Sequence, residues 1–244
     1  MTPNTLIKVE NLTGGYNENI VLRDISFEVY EGEILVILGT SGCGKTTLLK
    51  HLIGLLYPFS GKIFLLGHDL LSLPEKKAMV LMRKIGVLFQ NGALLNSITV
   101  ADNVAIPYEQ HTNLKADLIN QLVRLKLKLV GLSNAAELLP SELSGGMRKR
   151  AALARAIALD PPILFADEPA AGLDPVTAAS LDRLLLDLRK LLGMTLVVVT
   201  HELTSIKRIA DRVLFLDKGR IAFLGTLEQA MASESEPVKK FFNP

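Results

Sequence analysis

Ile25, Phe27 and Val29 alternate with Ser26 and Glu28. A period of two predicts a half-buried strand, and residues 6–29 as a whole read as short strands. A turn at Glu31-Gly32-Glu33 leads into Ile34-Leu35-Val36-Ile37-Leu38. That run is apolar on both faces, as expected of a central strand in a covered parallel sheet. Similar runs recur at Ile85 to Phe89, Ile163 to Ala166, Leu196 to Val199 and Val213 to Leu216, with helical stretches between them. The alternation predicts an α/β fold with a mainly parallel sheet and crossover helices. Residues 92–160 break the pattern, because no strand is evident there. Leu118, Leu122, Leu125 and Leu129 instead follow the three-to-four spacing of one helix face. From Gly225 onward the chain reads as one short helix and a polar tail. The expected organisation is a single domain over residues 1–244. Its core comprises 6–90 and 161–225 and carries an N-terminal antiparallel β subdomain. A helical subdomain is inserted at 91–160, and 226–244 form the C-terminal helix and tail.

Apolar residues make up 49% of the 244, enough for a sizeable core. Lys and Arg number 27 against 25 Asp and Glu, a balance that gives no support to nucleic-acid binding. The single cysteine, Cys43, rules out an internal disulfide and fits a reducing compartment. A membrane-spanning helix needs about 20 apolar residues, and the longest runs resemble Ile34–Leu38. The N-terminal Met1-Thr2-Pro3-Asn4 has no charged-then-apolar signal pattern. The expectation is a cytoplasmic protein, which in a transport role must sit on a separate membrane subunit.

The strongest chemical signal is Gly39-Thr40-Ser41-Gly42-Cys43-Gly44-Lys45-Thr46, followed by Thr47. It fits the phosphate-loop pattern G-x-x-x-x-G-K-[ST]. Glycines let the loop wrap backbone N–H groups around phosphate oxygens. The helix that follows points its positive end at the same place. Lys45 can reach the β- and γ-phosphates, and Thr46 offers a hydroxyl to Mg²⁺. The context agrees, with an apolar strand before the loop and Leu48-Leu49-Lys50 in helical register after it.

A second apolar strand ends in two acids, Asp167-Glu168. Desolvating unpaired carboxylates is costly, so such an ending needs a reason. Asp167 can hold the metal, and Glu168 can orient or deprotonate an attacking water. Taken alone, the segment would also fit a strand running into a solvated acidic loop. Leu143-Ser144-Gly145-Gly146-Met147 precedes an Ala-rich helical stretch through Ala158. Ser144 can cap that helix, and Gly145 and Gly146 leave backbone donors uncovered. Arg148, Lys149 and Arg150 crowd the first turn, where the helix dipole disfavours cations. A nearby anion would relieve the conflict. A capped surface helix with solvated charges is the alternative.

Phosphate loop, Leu-Ser-Gly-Gly and strand-Asp-Glu, in this order, resemble the nucleotide-binding subunit of an ABC transporter. The spacings from Ser144 to Asp167 and from Glu168 to His201 agree, and the resemblance covers about residues 6–230. It implies a P-loop NTPase, RecA-like core that binds ATP and Mg²⁺ and hydrolyses the nucleotide. Tyr16 resembles the aromatic that stacks on adenine, and Gln90 the glutamine that senses Mg²⁺ and the membrane subunit. Ala171-Gly172-Leu173-Asp174 resembles the loop that crosses the dimer interface. Asp174-Pro175 is also a good helix start. His201 resembles the histidine that contacts the γ-phosphate, whereas His51, His68 and His111 carry no such support. The resemblance further implies that each ATP lies between the Lys45 loop of one copy and the Ser144 segment of a second, so that hydrolysis opens the pair. Cys43 takes a variable loop position without a catalytic role.

Details narrow the family. The signature reads Leu-Ser-Gly-Gly-Met-Arg-Lys-Arg, with Met147 where Gln is common. Asn91 to Val100, Glu109-Gln110-His111-Thr112, Leu48 to Leu56 and Val238 to Phe242 complete a likeness to the ATPases of the Mla/Mce group, bacterial systems that move phospholipid or other lipid. That implies a homodimer beneath an integral permease at the cytoplasmic face of the inner membrane, working with an Mce-domain lipid-binding protein. Three departures stand out: Ala170 for a usual Thr, Phe59 for an acid before Ser60-Gly61, and an ending in Phe242-Asn243-Pro244. The alternatives are the ATPase of another ABC importer or exporter, for amino acids or lipoproteins, and a soluble ABC ATPase acting on ribosomes or DNA. The soluble forms carry two cassettes or a long coiled-coil insert, neither of which is evident in this sequence.

Overall fold

The computed structural model describes residues 4–242. Met1-Thr2-Pro3 and Asn243-Pro244, read above for a targeting signal and for the tail, lie outside the described residues. The chain divides into two compact units. One combines the described residues up to Met82 with those from Thr195 on, and the other is Arg83–Met194.

The first unit opens with a long hairpin of β1 (Thr5–Tyr16) and β2 (Asn19–Tyr30). Its two-residue turn is entered at Asn17 with φ 52°, a conformation Asn tolerates. β4 (Ser60–Leu65) and the short β5 (His68–Asp69) extend this antiparallel sheet in the order β2-β1-β4-β5. Ile7, Val9, Leu12, Ile25, Phe27 and Val29 form its buried side. β3 (Ile34–Gly39) is buried along its whole length. It lies parallel to both β8 (Thr195–Val199) and β9 (Arg212–Asp217), and β10 (Arg220–Thr226) pairs antiparallel to β9. Around these strands lie α1 (Lys45–Leu52), α2 (Glu75–Met82), α7 (Leu203–Ile209), α8 (Leu227–Met231) and α9 (Glu236–Phe242).

The C-terminal segment departs from the expected polar tail. It forms two helices, and Val238 and Phe242 are buried. Phe241 meets Phe215 of β9 edge-on at 5.6 Å between ring centroids. Apolar residues spaced three and four apart give α9 a buried side, and that burial outweighs its flanking charges.

The second unit holds the parallel pair β6 (Ile85–Leu88) and β7 (Ile163–Asp167), in register from Ile85 opposite Ile163 to Leu88 opposite Ala166. Its helices are α3 (Val100–His111), α4 (Ala116–Leu129), α5 (Gly145–Ala156) and α6 (Pro175–Leu192). Thr99 and Asp102 form a reciprocal capping box on α3. Among the described residues, 92–160 contain no strand, as expected.

The buried face of α4 is not the one the leucines predicted. Leu118 and Leu125 are exposed, while Ile119, Val123, Lys126 and Leu127 are buried. Leucines occur on several faces of this helix, so their spacing does not identify the packed one. Lys126 resolves the ambiguity, because its aliphatic stem is covered while its ammonium pairs with Asp160. The mainly parallel α/β fold with an antiparallel β subdomain agrees with the sequence expectation. Among the described residues no helix is long and apolar enough to cross a membrane.

Candidate functional site

In the first unit β3 ends at Gly39 and its neighbour β8 ends just before Thr200. The two strands are parallel, and the Thr200 N–H donates to the Ile37 carbonyl at 3.3 Å. The loop 39–44 and His201 therefore leave the same end of the sheet, where α/β folds place their ligands.

The loop needs its glycines for shape. Gly39, Gly42 and Gly44 have φ of 148°, 73° and 105°. A Cβ on Gly39 would lie 2.0 Å from the Leu216 carbonyl oxygen, and one on Gly44 would lie 2.7 Å from Leu22 Cδ2. Thr40, Ser41 and Gly42 are exposed, while Cys43 and Gly44 are buried against the strands. Thr40 Oγ1 donates to Asp217 Oδ1 at 3.3 Å and steadies the loop's outer limb. α1 then begins with no side-chain cap and no acid in its first turn. Its N-terminal donors and dipole point into the loop. Lys45 curls over the loop, with Nζ donating to the Gly39 and Thr40 carbonyls at 3.0 and 3.1 Å. Thr46 is exposed beside it, and Thr47 is turned into the core. Burial pushes the Cys43 thiol above its ordinary pKa, against the opposing charge of Lys45.

Tyr16 ends β1, and its ring is 40% exposed. Lys50 Nζ donates to the Tyr16 hydroxyl at 3.2 Å and sits 5.3 Å from the ring centroid. Burial raises the phenol's pKa, but hydrogen bonds with Thr47 and Lys50 and the Lys50 charge together hold it below the ordinary value. His51 lies in the core with its Nδ1 2.8 Å from the Leu56 carbonyl oxygen. Burial lowers its pKa.

In the second unit β6 and β7 are parallel neighbours, so Gln90 and the Asp167-Glu168 pair leave one end of that pair together. β6 stops at Leu88, one residue short of the expected strand, and Phe89 and Gln90 are exposed. Asp167 is buried at the last position of β7. Glu168 follows with φ 45°, a left-handed conformation that a non-glycine residue keeps only when its surroundings enforce it. Ser144 caps α5, its hydroxyl accepting from the Met147 N–H at 3.3 Å. Gly146 faces Thr177, whose Cγ2 would lie 2.5 Å from an added Cβ. Asp174 caps α6 by accepting from the Val176 and Thr177 N–H groups, both at 3.0 Å. A hydrogen bond with the Thr177 side chain first, then those N–H bonds, hold its carboxyl below the usual carboxylate range.

The basic residues at the start of α5 have hydrogen-bond partners within the chain. Arg148 Nε donates to the Leu143 carbonyl at 3.2 Å. Arg150 reaches the Val130 carbonyl at 2.8 Å and the Ser180 hydroxyl at 2.9 Å. Lys149 is buried and donates to the Gln90 and Glu168 carbonyls. The Leu143, Val130, Gln90 and Glu168 carbonyls and the Ser180 hydroxyl take up these donors. Lys149 was therefore missed as part of the site, as was Arg155, which donates to the Gly92 and Ala93 carbonyls at 2.8 Å each. The only sequence signal was the unfavourable placing of cations at a helix start.

A model of the ABC transporter family matches residues 22–171, more than half of the chain. The chain belongs to the ABC transporter family. As a member it is an ATP-binding and ATP-hydrolysing protein. It is 42% identical to the intermembrane phospholipid transport system ATP-binding protein MlaF of Haemophilus influenzae, over 97% of this chain and 89% of that one. It is 39% identical to the probable ribonucleotide transport ATP-binding protein mkl of Mycobacterium leprae, over 97% of this chain and 68% of the relative. Among solved structures it is similar to cbiO1 from Clostridium perfringens, part of the ABC transporter complex cbiONQ. That match has a TM-score of 0.87 and 30% identity over 95% of this chain and 92% of the other. It is also similar to the ATP-binding cassette MJ0796, seen as a dimer in a post-hydrolysis state bound to ADP and Pi. Here the TM-score is 0.83 and the identity 30%, over 91% of this chain and 98% of the other.

Proposed function

We propose that this ABC ATPase powers phospholipid transport through a separate membrane permease, working as a homodimer at the cytoplasmic face of a bacterial inner membrane beside an Mce-domain lipid-binding protein. The observation that carries the nucleotide reading is the phosphate loop, with Gly39 closed to a Cβ by the Leu216 carbonyl, Gly42 and Gly44 at positive φ, and Lys45 folded over the loop. The cargo reading rests on likeness to MlaF proteins over nearly the whole chain. The mycobacterial relative supports a second reading, in which the cargo is a ribonucleotide.

In this proposal backbone N–H groups of residues 40–46 and the Lys45 ammonium hold the triphosphate, and Tyr16 stacks on adenine. Glu168 takes the proton of the attacking water, and His201 contacts the γ-phosphate. Gln90 reports the nucleotide state to the permease. Ser144, Gly145, Gly146 and Asp174 meet the nucleotide held by the partner copy. Thr46, Asp167 and Gln90 suit Mg²⁺, a hard cation that is usually held by one or two protein oxygens together with substrate phosphates. Bound there, Mg²⁺ would neutralise charge on the phosphates.

Glu168→Gln tests the chemistry. ATP binding should persist while turnover falls by about 10²- to 10⁴-fold. Wild-type turnover in that variant would remove Glu168 from the reaction. Purification from membranes with the bound proteins and lipids identified separates the two cargo readings.

A further inference from the structure

Lys149 is 7% exposed, yet it lies near the start of α5 in a sequence run that looks solvated. Its Nζ donates to the Gln90 carbonyl and, at 3.1 Å, to the Glu168 carbonyl. These are the residues that follow two neighbouring parallel strands, β6 and β7. β6 ends at Leu88 and β7 at Asp167, so both carbonyls lie just past the ends of the strands. One ammonium therefore ties together the two main-chain segments that leave this strand pair. A buried lysine is a poor stabiliser, since well-packed apolar residues commonly do as well or better.

We propose that Lys149 is a positioning residue for ATP hydrolysis, an ammonium clamp that sets the main chain of Gln90 against that of Glu168. The proposal rests on the roles given above to those two residues.

Glu168 has φ 45°, and its carbonyl also accepts from the Ala171 N–H at 3.1 Å. Two donors thus share the carbonyl of the residue that carries the carboxylate. The next turns of α5 continue the anchoring. Arg155 holds the carbonyls of Gly92 and Ala93. The Asn103 side chain closes the far end by accepting from the Leu95 N–H at 2.8 Å and donating to the Leu95 carbonyl at 3.0 Å. The segment after Gln90 is thus fixed by side chains of α5 and α3. α5 itself begins at Ser144, so a rigid helix connects the Ser144 corner to the main chain behind the proposed base.

The test is steady-state ATP hydrolysis by K149M, K149R and K149Q, with ATP binding measured by fluorescent-nucleotide titration and folding by thermal melting. K149M should lower kcat by about 10- to 10²-fold, the range expected of a misplaced catalytic group, with the ATP Kd changed less than about twofold. K149R, which keeps charge and donors, should recover most of kcat. In the Glu168→Gln background K149M should add little, because residues acting as a unit lose activity once. If K149M does not fold, K149Q takes its place in that double-variant test. Wild-type kcat in K149M, equal loss in K149M and K149R, or full additivity with Glu168→Gln would each overturn the clamp. A Glu168→Gln variant that still turns over would instead overturn the functional reading beneath it.

Discussion

The helices α1 and α5 both begin at glycine-rich corners, and they treat their N-termini in opposite ways. α1 starts after Gly44 with no side-chain cap, and Lys45 lies over the loop's own carbonyls. α5 starts after Ser144, which caps its own helix, and the basic residues behind it are spent on main-chain carbonyls. The first corner leaves an uncapped helix start beside a lysine that lies over the loop's own carbonyls. The second is largely satisfied within its own unit. Similar glycine content thus marks two different devices. In the proposed function one is the cradle for the triphosphate, and the other a surface corner that meets a nucleotide held by the partner copy.

The largest effect should come from the cradle. Lys45→Ala removes hydrogen bonds to charged oxygens, each worth about 1.5–3 kcal/mol. ATP affinity in a fluorescent-nucleotide titration should fall by about 10²-fold or more. Unchanged affinity would break the comparison at its stronger side. Ser144→Ala should leave ATP affinity of the protomer within about twofold while hydrolysis falls by about tenfold, the worth of one such bond. The lost cap should also cost ~1 kcal/mol of stability in a denaturant melt. Equal loss of binding and hydrolysis would make the two corners alike. The smallest effect concerns Cys43. Its thiol is buried and its pKa raised, so the reactive thiolate forms only above the ordinary thiol range. Alkylation should be slower than that of a free thiol at neutral pH, rise with pH, and be suppressed by bound ATP. Fast labelling at pH 7 that ATP leaves unchanged would place the thiol outside the cradle.

Much is legible in the sequence because it is local. Alternation marks strands such as 25–29, and unbroken apolar runs mark buried ones such as Ile34–Leu38, since backbone periodicity and side-chain burial act over a few residues. Gly39, Gly42 and Gly44 were readable for the same reason, as their positive φ values come from the turn itself. The cap at Asp174-Pro175 is equally local. The face of α4 was not legible, because several leucine stripes satisfy the same spacing and only a packing partner chooses among them. The second C-terminal helix was missed because Val238 and Phe242 look like isolated apolar residues until a sheet lies against them.

The basic run on α5 shows the division most clearly. Sequence alone established a cassette of this family, its phosphate loop and the acids at the end of a strand, because each is a short run whose chemistry depends on neighbours in the chain. Only the tertiary structure decided that Lys149 is buried and that it and Arg155 are bonded to carbonyls near Gln90 and at Glu168. A cation in a sequence carries no mark of its partners. Those partners lie tens of residues away, and folding alone brings their oxygens within reach of one helix.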